Sequence, residues 1–391
     1  MPNCRACAAE AAVLLDFGAQ PICNRFLARA EETEYSHPVV LGQCGACGLV
    51  QLTSMPPASE LRPRQDWITY NEPEPHLDRL ADVLAALPGV GPATVACGVS
   101  FKDDSTLRRL AERGITRSWR LEPSELGSTA AGVGVETVQD LLTPERAAAV
   151  AAARGAADLI VVRHILEHAF DLPRFFAALR ALAKPGAYFV FEAPDCHGAM
   201  RDLDYSTVWE EHAAYFTEAT YLSTLRRAGF ETVHFENVPY ALENSLVVVV
   251  RAGAPQRPEL DLPAELALGR SFAAGLRRQA ERLRAFLDAQ PGGVALFGAG
   301  HLACAFVNLL ELKDKIRFVA DDHPKKKGLF MPGSRLPIRG SQALVEDGVK
   351  LCLLSLHPDS EDKVIANNKA FVDGGGTFRS IFPASRRALA L

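Results

Sequence analysis

The sequence of 391 residues contains no run of about 18 uncharged apolar residues, the length that a membrane-spanning helix needs. Its first residues, MPNCRACAAE, lack the basic-then-apolar layout of a signal peptide. Positive charge is not in excess, because 42 Lys and Arg residues are balanced by 47 Asp and Glu residues. This balance argues against a general nucleic-acid binder, whose phosphate contacts need a basic surface. We therefore expect no membrane and no nucleic acid as partners, and no protein partner is evident.

Four of the nine cysteines form two Cys-x-x-Cys pairs, Cys4 with Cys7 and Cys44 with Cys47. Two thiolates from one short turn can bind the same ion, and four thiolates complete a tetrahedral shell with no open position. We therefore predict a structural zinc ion. In a large chain without a secretory signal, this pattern favours reduced thiols and a cytoplasmic location over a disulfide framework. The alternatives are four free cysteines or one redox-active pair, and Cys23 is expected to be a bystander.

Composition and periodicity divide the chain into three parts. Residues 1–65 are rich in Cys, Pro and Gly and predict a small, loop-rich module. Residues 66–253 alternate strands with helices, which predicts a parallel, doubly wound α/β sheet. Residues 254–391 begin with a Pro-rich linker and a long helix near 264–289, and then form a second α/β domain. The strands expected in the middle part are 94–99, 117–123, the GVGVETVQ segment at 132–139, 157–164, 187–194 and 244–253, and those expected in the last part lie near 294–297, 316–320 and 350–355.

Candidate ligand-binding residues follow the strands of the middle part. Cys97, Gly98 and Ser100 form the turn after the first strand, at the sheet edge where ligands bind in such folds. Glu122 ends the second strand, where an acid can hydrogen-bond a ribose, although a solvated carboxylate is an equal alternative. The RHILEH segment closes the fourth strand, and we expect its histidines to cap and position neighbouring groups instead of binding a metal.

A possible general base follows the fifth strand. The Glu211–His212 pair lies in a polar segment that should cover the carboxyl edge of the sheet. A carboxylate beside an imidazole can act as a base near neutral pH. A surface charge cluster is the alternative.

The last part carries a glycine turn. Gly298, Gly300 and His301 follow a strand and open a helix, and two aspartates come about twenty residues later, as in a dinucleotide site. The same turn could accept a phosphate instead, because a helix begins there. Lys325 and the two lysines after it could add charge for a diphosphate, or form a solvated loop.

The order of these motifs resembles the three-domain, zinc-containing C-methyltransferases that act on nucleotide-linked keto-sugars. The resemblance rests on GAQPICNRFL between the two cysteine pairs, LEPS, RHILEH, EEHAAYFT and the stretch from VALFGAGHLACAFVNLL to PGSRLPI. It implies a central class I, Rossmann-like domain that binds S-adenosylmethionine (SAM), and a C-terminal Rossmann-like domain that helps hold the sugar nucleotide. It also implies that His212, paired with Glu211, is the base that forms an enolate, whose carbon attacks the SAM methyl group.

The cofactor residues expected from this resemblance are Cys97, Gly98, Ser100, Glu122, Arg163 and His164, and the substrate residues are Tyr70, His76, Gly298, Gly300, His301 and Lys325. The chain also departs from the family. The cofactor turn reads GVSFKDDST without a second glycine, and Glu243-Asn244-Ser245 replaces a Gly-Gly-Ser segment. A tyrosine-rich segment reads WITYNEPEPH, with Trp67, Tyr70 and His76. O- or N-methylation, a non-catalytic nucleotide-binding scaffold and an NAD-dependent oxidoreductase therefore stay open as alternatives.

Overall fold

The computed structural model describes residues 2–62, 64–65, 72–128, 135–257 and 259–389. The predictions for Trp67 and Tyr70 lie outside these ranges. The described residues form an antiparallel N-terminal sheet, a mixed central sheet and a parallel C-terminal sheet. No helix among them is long and apolar enough to cross a membrane.

The N-terminal sheet has the strand order β1-β2-β3-β8. Its first strands are β1 (Ala11–Pro21), β2 (Ser36–Cys44) and β3 (Val50–Leu52), and the short helix α1 (Ala58–Leu61) follows them. The fourth strand, β8 (Ala214–Tyr215), comes from the middle of the chain, with Val50 opposite Tyr215 and Gln51 opposite Ala214. The N-terminal module and the central domain therefore share a sheet.

The central sheet has the order β5-β4-β6-β7-β10-β9. Strands β4 to β7 are parallel to one another, as predicted, but β10 is antiparallel to both β7 and β9. The elements are α2 (Leu77–Ala85), β4 (Val95–Gly98), α3 (Asp104–Glu112), β5 (Arg117–Arg120), α4 (Val135–Leu141), α5 (Pro144–Arg154), β6 (Ala157–Arg163), α6 (Leu172–Leu182), β7 (Ala183–Pro194), α7 (His197–Arg201), α8 (Glu218–Arg227), β9 (Phe230–Val238) and β10 (Ser245–Ala252).

Helices cover both faces of this sheet, which explains why its inner strands are apolar throughout. Tyr188 and Val190 of β7 pack with α2 and α3, while Phe189 and Phe191 pack with α5 and α6 on the opposite face. Successive side chains of a strand point to opposite faces, so the continuous apolar run in β7 serves two cores.

The strand predicted at 132–139 is wrong where the structure describes it, because α4 begins at Val135 and continues to Leu141. Val138 and Leu142 are both buried in the core with Ala147 and Val150 of α5. They are four positions apart, which is the spacing of one helix face, and this packing outweighs the strand preference of valine.

The C-terminal sheet has the order β13-β12-β11-β14-β15, and its neighbouring strands are parallel. This order corresponds to five of the six strands of a dinucleotide-binding fold. The predicted strands near 294–297, 316–320 and 350–355 are confirmed as β11, β12 and β14. The elements are α9 (Leu262–Asp288), β11 (Val294–Phe297), α10 (His301–Leu309), β12 (Val319–Ala320), β13 (Ile338–Arg339), α11 (Ala343–Glu346), β14 (Leu351–Leu354), α12 (Glu361–Asn367), α13 (Lys369–Asp373) and β15 (Thr377–Ser380).

Helix α9, which the sequence predicts near 264–289, joins the three parts of the molecule. Asp261 caps it by accepting a hydrogen bond from the backbone N–H of Ala264 at 3.1 Å. Gln43 of the N-terminal module donates to the carbonyl of Glu265 at 2.8 Å, and Tyr205 of the central domain donates to that of Phe272 at 2.7 Å. The helix therefore lies against both preceding parts before it enters the C-terminal domain.

Candidate active site and zinc centre

The four predicted zinc ligands lie together. The Cys4 and Cys47 sulfurs are 3.5 Å apart, the Cys7 and Cys44 sulfurs are 3.6 Å apart, and all four lie within 4.8 Å of one another. A tetrahedral zinc ion with Zn–S bonds of about 2.3 Å requires sulfurs separated by about 3.8 Å. The cluster therefore fits zinc. The backbone N–H groups of Ala6 and Ala46 donate to Cys4 and Cys44, both at 3.4 Å, as expected for thiolate ligands.

The zinc cluster is tied to the central domain by Arg5, which lies between Cys4 and Cys7. Its guanidinium donates to the carbonyl oxygen of Phe170, and to that of Leu52 at 3.2 Å. Phe170 follows the RHILEH segment by two residues. The first cysteine pair therefore supports the loop that carries the predicted histidines.

The expected cofactor turn is closed by Asp103, which the sequence analysis missed. One carboxylate oxygen accepts from the backbone N–H groups of Val99 and Ser100, at 2.7 and 2.8 Å, and the other accepts from that of Arg163 at 2.9 Å. Burial raises the pKa of Asp103 to about 7 despite these donors. A side chain at Gly98 would lie 2.9 Å from the β-carbon of Asp103, so the turn needs glycine there. The Ser-x-x-Asp spacing of a capping box is the signal that could have found Asp103.

The other expected cofactor residues differ in exposure. The Cys97 side chain is fully buried in the core, so only the backbone of this residue can contact a ligand at the turn. Glu122 lies just beyond β5, partly exposed, with Arg120 donating to it at 3.0 Å. Phe101 presents an apolar ring at the turn that is 51% exposed. An acid after the second strand and an apolar surface at the turn fit the ribose and base of a nucleoside cofactor such as SAM.

Arg163 and His164 take part in a buried ionic network centred on Glu192. Arg163 donates to one carboxylate oxygen at 2.5 Å, and His164 and His76 lie 3.1 and 3.3 Å from the other. Arg163 also donates to the carbonyl oxygens of Lys102 and Pro73, at 2.8 and 3.1 Å. The network therefore joins the ends of β6 and β7 to the cofactor turn and to the segment before α2.

The charged groups of this network shift one another's pKa values. Burial opposes ionisation of Glu192, but the charges of His164 and Arg163 outweigh it and hold the pKa of this carboxyl well below its usual range. Burial also opposes charging of His164, but Glu72 and Glu192 raise its pKa to about 10. His76, expected to bind substrate, is instead buried with its Nδ1 atom 2.6 Å from the hydroxyl of Tyr240.

The N-terminal module holds the predicted catalytic segment. The backbone N–H of Cys23 donates to Glu210 at 2.6 Å, and the Asn24 side chain donates to Glu211 at 3.2 Å. The pairing of β3 with β8 begins two residues after His212. Cys23, expected to be a bystander, therefore contributes a backbone group to the site.

His212 lies among aromatic rings. Its ring centroid is 4.8 Å from that of His168 and 5.0 Å from that of Trp209. Burial, with help from the positive charge of His301, lowers the pKa of His212 to about 3. The ring is therefore neutral near pH 7 and can accept a proton. Trp209, directly before the acidic pair, gave no sequence signal of this role.

The C-terminal domain reaches the same place through His301, whose ring stacks on Trp209 with centroids 4.5 Å apart. Gly298 has a φ of +106°, which favours glycine, and Gly300 precedes the first residue of α10. Asp321 accepts from the backbone N–H of Ala299 at 2.9 Å and from Lys326 at 3.0 Å. Asp321 is the first of the two aspartates expected for a dinucleotide site. Its carboxylate is already hydrogen-bonded to the glycine turn, which does not favour the binding of NAD. Lys325 precedes Lys326 in the chain and is exposed.

Three family models match successive parts of the chain. One described as “Putative zinc binding domain” matches residues 4–61, one described as “Methyltransferase domain” matches 81–235, and one described as “C-methyltransferase C-terminal domain” matches 263–383. The chain is therefore a SAM-dependent methyltransferase with a zinc-binding module and a C-methyltransferase C-terminal domain. The fold class, SAM as cofactor and the zinc-binding module are confirmed.

Among curated proteins, the C-methyltransferase NovU of Streptomyces niveus is 23% identical over 408 aligned positions, covering 98% of this chain and 96% of NovU. Among solved structures, a Burkholderia thailandensis N1-methyltransferase with bound 1,6-didemethyltoxoflavin and S-adenosylhomocysteine is 16% identical, with a TM-score of 0.29 over 46% of this chain and 80% of that one. A SAM-dependent methyltransferase from Aquifex aeolicus is 14% identical, with a TM-score of 0.30 over 46% and 93%. At these TM-scores the two structures do not bear on the reaction of this chain.

Proposed function

We propose that this methyltransferase acts on a carbon atom of a nucleotide-linked keto-sugar or a related small acceptor, with His212 as the base. The observation that carries the proposal is the convergence of three domains at this residue. The N-terminal module holds the adjacent Glu211 through Asn24, and the C-terminal domain reaches Trp209 through His301. An acceptor between these walls would have its reacting carbon beside an imidazole that is neutral near pH 7.

The residues of the central domain would hold SAM at the carboxyl edge of the sheet. The backbone of the Gly98–Ser100 turn would face the cofactor, and Glu122 would bind its ribose hydroxyls. When bound, SAM supplies an electrophilic methyl group on a sulfonium ion.

His212 would accept the proton from the carbon next to the ketone, so the C–H bond breaks and an enolate forms. The enolate carbon then bonds to the methyl carbon as the sulfur–methyl bond breaks, leaving a methylated ketone and S-adenosylhomocysteine. Positioning of the acceptor carbon between the base and the SAM methyl group would provide most of the acceleration. Glu211 would act by position, since its side chain accepts a hydrogen bond from Asn24.

The nucleotide of the acceptor would bind to the C-terminal domain. A β-carbon at Gly300 would meet nothing within 4 Å, so the space before helix α10 is open. The N–H groups at the start of a helix attract phosphate oxygens, and Lys326, the neighbour of the exposed Lys325, places its ammonium group 2.6 Å from the carbonyl oxygen of Ala299 in this turn. These features support a diphosphate site, as the family resemblance implies.

The test uses the zinc-loaded enzyme, SAM and a panel of nucleoside-diphosphate keto-sugars. We expect His212→Gln to bind SAM as the wild type does, but to lose methyl transfer and the exchange of the acidic carbon-bound proton with deuterium. Asn24→Ala should reduce turnover by a smaller factor than His212→Gln does. His234→Gln is the matched control, because this half-buried histidine lies in the edge strand β9, opposite Val249. A fully active His212→Gln enzyme would refute the proposed base, and a product methylated on oxygen or nitrogen would refute carbon methylation.

A further inference from the structure

A second group of metal-ligating side chains lies beside the proposed base. Glu167 and His168 belong to a single 3-10 turn (Leu166–His168), and His212 comes from the segment before β8. One ligand atom from each of the three lies within 4.8 Å of the other two. Two imidazoles and one carboxylate are the protein ligands of many catalytic zinc and iron sites.

The hydrogen bonding of His168 fixes which of its ring nitrogens is available. Its Nδ1 atom lies 2.8 Å from the carbonyl oxygen of Glu211, and a carbonyl oxygen can only accept. The proton is therefore on Nδ1, and Nε2 carries a free lone pair. Histidines that bind metals commonly donate their other N–H to a backbone carbonyl, which holds the ring in orientation.

Glu167 provides the second indication. Its side chain is only 2% exposed, and Oε1 lies 3.5 Å from Nδ1 of His164. Oε2 is buried without a hydrogen-bond partner among the residues that the structure describes. A buried carboxylate oxygen with no partner is costly, and a cation at this point would satisfy it.

We propose that Glu167, His168 and His212 bind a divalent transition-metal ion such as Zn²⁺ or Co²⁺, with an open position toward the acceptor. This site is distinct from the four-cysteine cluster in both ligand chemistry and exposure to the cleft. Because the metal would use the lone pair of His212, its binding and proton abstraction would exclude each other. That inhibitory consequence rests on the proposed function, whereas the metal site itself does not.

The binding experiment titrates Co²⁺ into the protein with zinc retained at the cysteines. The expected result is one further equivalent of bound Co²⁺, with the visible bands of a nitrogen- and oxygen-ligated ion and no sulfur-to-metal charge-transfer band. Glu167→Gln should weaken this binding at least about tenfold, since changes even in outer partners have effects of that size. His212→Gln is a second variant, and His234→Gln, in the edge strand β9, is the control for a histidine outside the site.

Equal Co²⁺ affinity in the wild type and in both site variants would overturn the proposal, as would a charge-transfer band showing that Co²⁺ had replaced zinc. Melting temperature and SAM affinity check that each variant is folded. The proposed base and the proposed metal site can be refuted independently of each other. Co²⁺ binding with an active His212→Gln enzyme would refute the base but keep the site, while an essential His212 without Co²⁺ binding would refute only the site.

Discussion

Replacing Glu192 by glutamine tests the buried network behind the active site. The substitution keeps the shape of the side chain but removes the charge that faces Arg163, His164 and His76. The Glu192 and Arg163 side chains are 0% and 1% exposed, so water cannot replace the lost partner. Removing one member of a buried ion pair typically costs about 3–5 kcal/mol, because the remaining charge stays buried and unpaired.

Hydrogen exchange of peptides that cover β6 and β7 measures this loss where it occurs, without assuming that three domains unfold together. A loss of about 3–5 kcal/mol corresponds to exchange that is roughly 150- to 5,000-fold faster. Glu236→Gln is the matched control, because Glu236 pairs with Arg79 at the surface, with side chains 32% and 58% exposed. Such a pair contributes at most about 1 kcal/mol.

The pH dependence has a defined sign. Glu192 has a folded pKa well below the usual value of 4.5, so its ionic stabilisation is fully present above that value. It is lost as pH falls through the lower folded pKa. The difference between wild type and Glu192→Gln should therefore shrink in acid, and it should also shrink well above neutral pH as His164, whose pKa Glu192 helps to raise to about 10, loses its proton. If the variant exchanged no faster than the Glu236→Gln control, or if the difference persisted unchanged in acid, the ionic account of this network would be refuted.

Three further outcomes are expected. Cys44→Ser should lose zinc, measured by metal analysis, and should lower melting temperature and turnover together, because the cluster supports the cleft without joining the chemistry. Asp103→Asn should weaken SAM binding by about 1–3 kcal/mol in calorimetry, since an amide cannot accept on both sides as the carboxylate does, and unchanged affinity would contradict the closed turn. Trp209→Ala should remove most turnover while SAM affinity is kept, whereas Trp209→Phe should retain part of it because a ring can still stack on His301.

The features that the sequence predicted well depend on short spacing. Two Cys-x-x-Cys pairs identify their ligands within four residues each, and the apolar period that predicts α9 is also local. The failure at 132–139 has the same origin, because the alternating valines of GVGV favour a strand until burial of Val138 in the core favours a helix. Local sequence patterns give a preference for helix or strand. Where the two preferences are similar in strength, tertiary contacts determine which structure forms.

The site was less predictable because its partners are distant in the chain. Glu192 is one charged residue in an apolar strand, which indicates a buried partner but does not identify His76 or His164. Trp209 and His301 are 92 positions apart and meet only when the C-terminal domain packs against the central one. No spacing rule connects such residues, so the sequence analysis assigned His301 to the substrate and gave Trp209 no role.

The route from zinc to His212 explains why a structural ion matters for chemistry at another place. The second cysteine pair fixes the turn between β2 and β3, because Cys44 accepts from the N–H of Gly48 at 2.9 Å and donates its own N–H to Leu49 at 3.0 Å. Strand β3 then pairs with β8, directly beyond the base. Without the ion, this two-residue pairing depends on its backbone bonds and on the contacts of Cys23 and Asn24 with Glu210 and Glu211. Loss of zinc should therefore displace His212 and also loosen the face of the central sheet that packs against the cysteines, because Cys44, Leu49 and Ala214 share a core with that sheet.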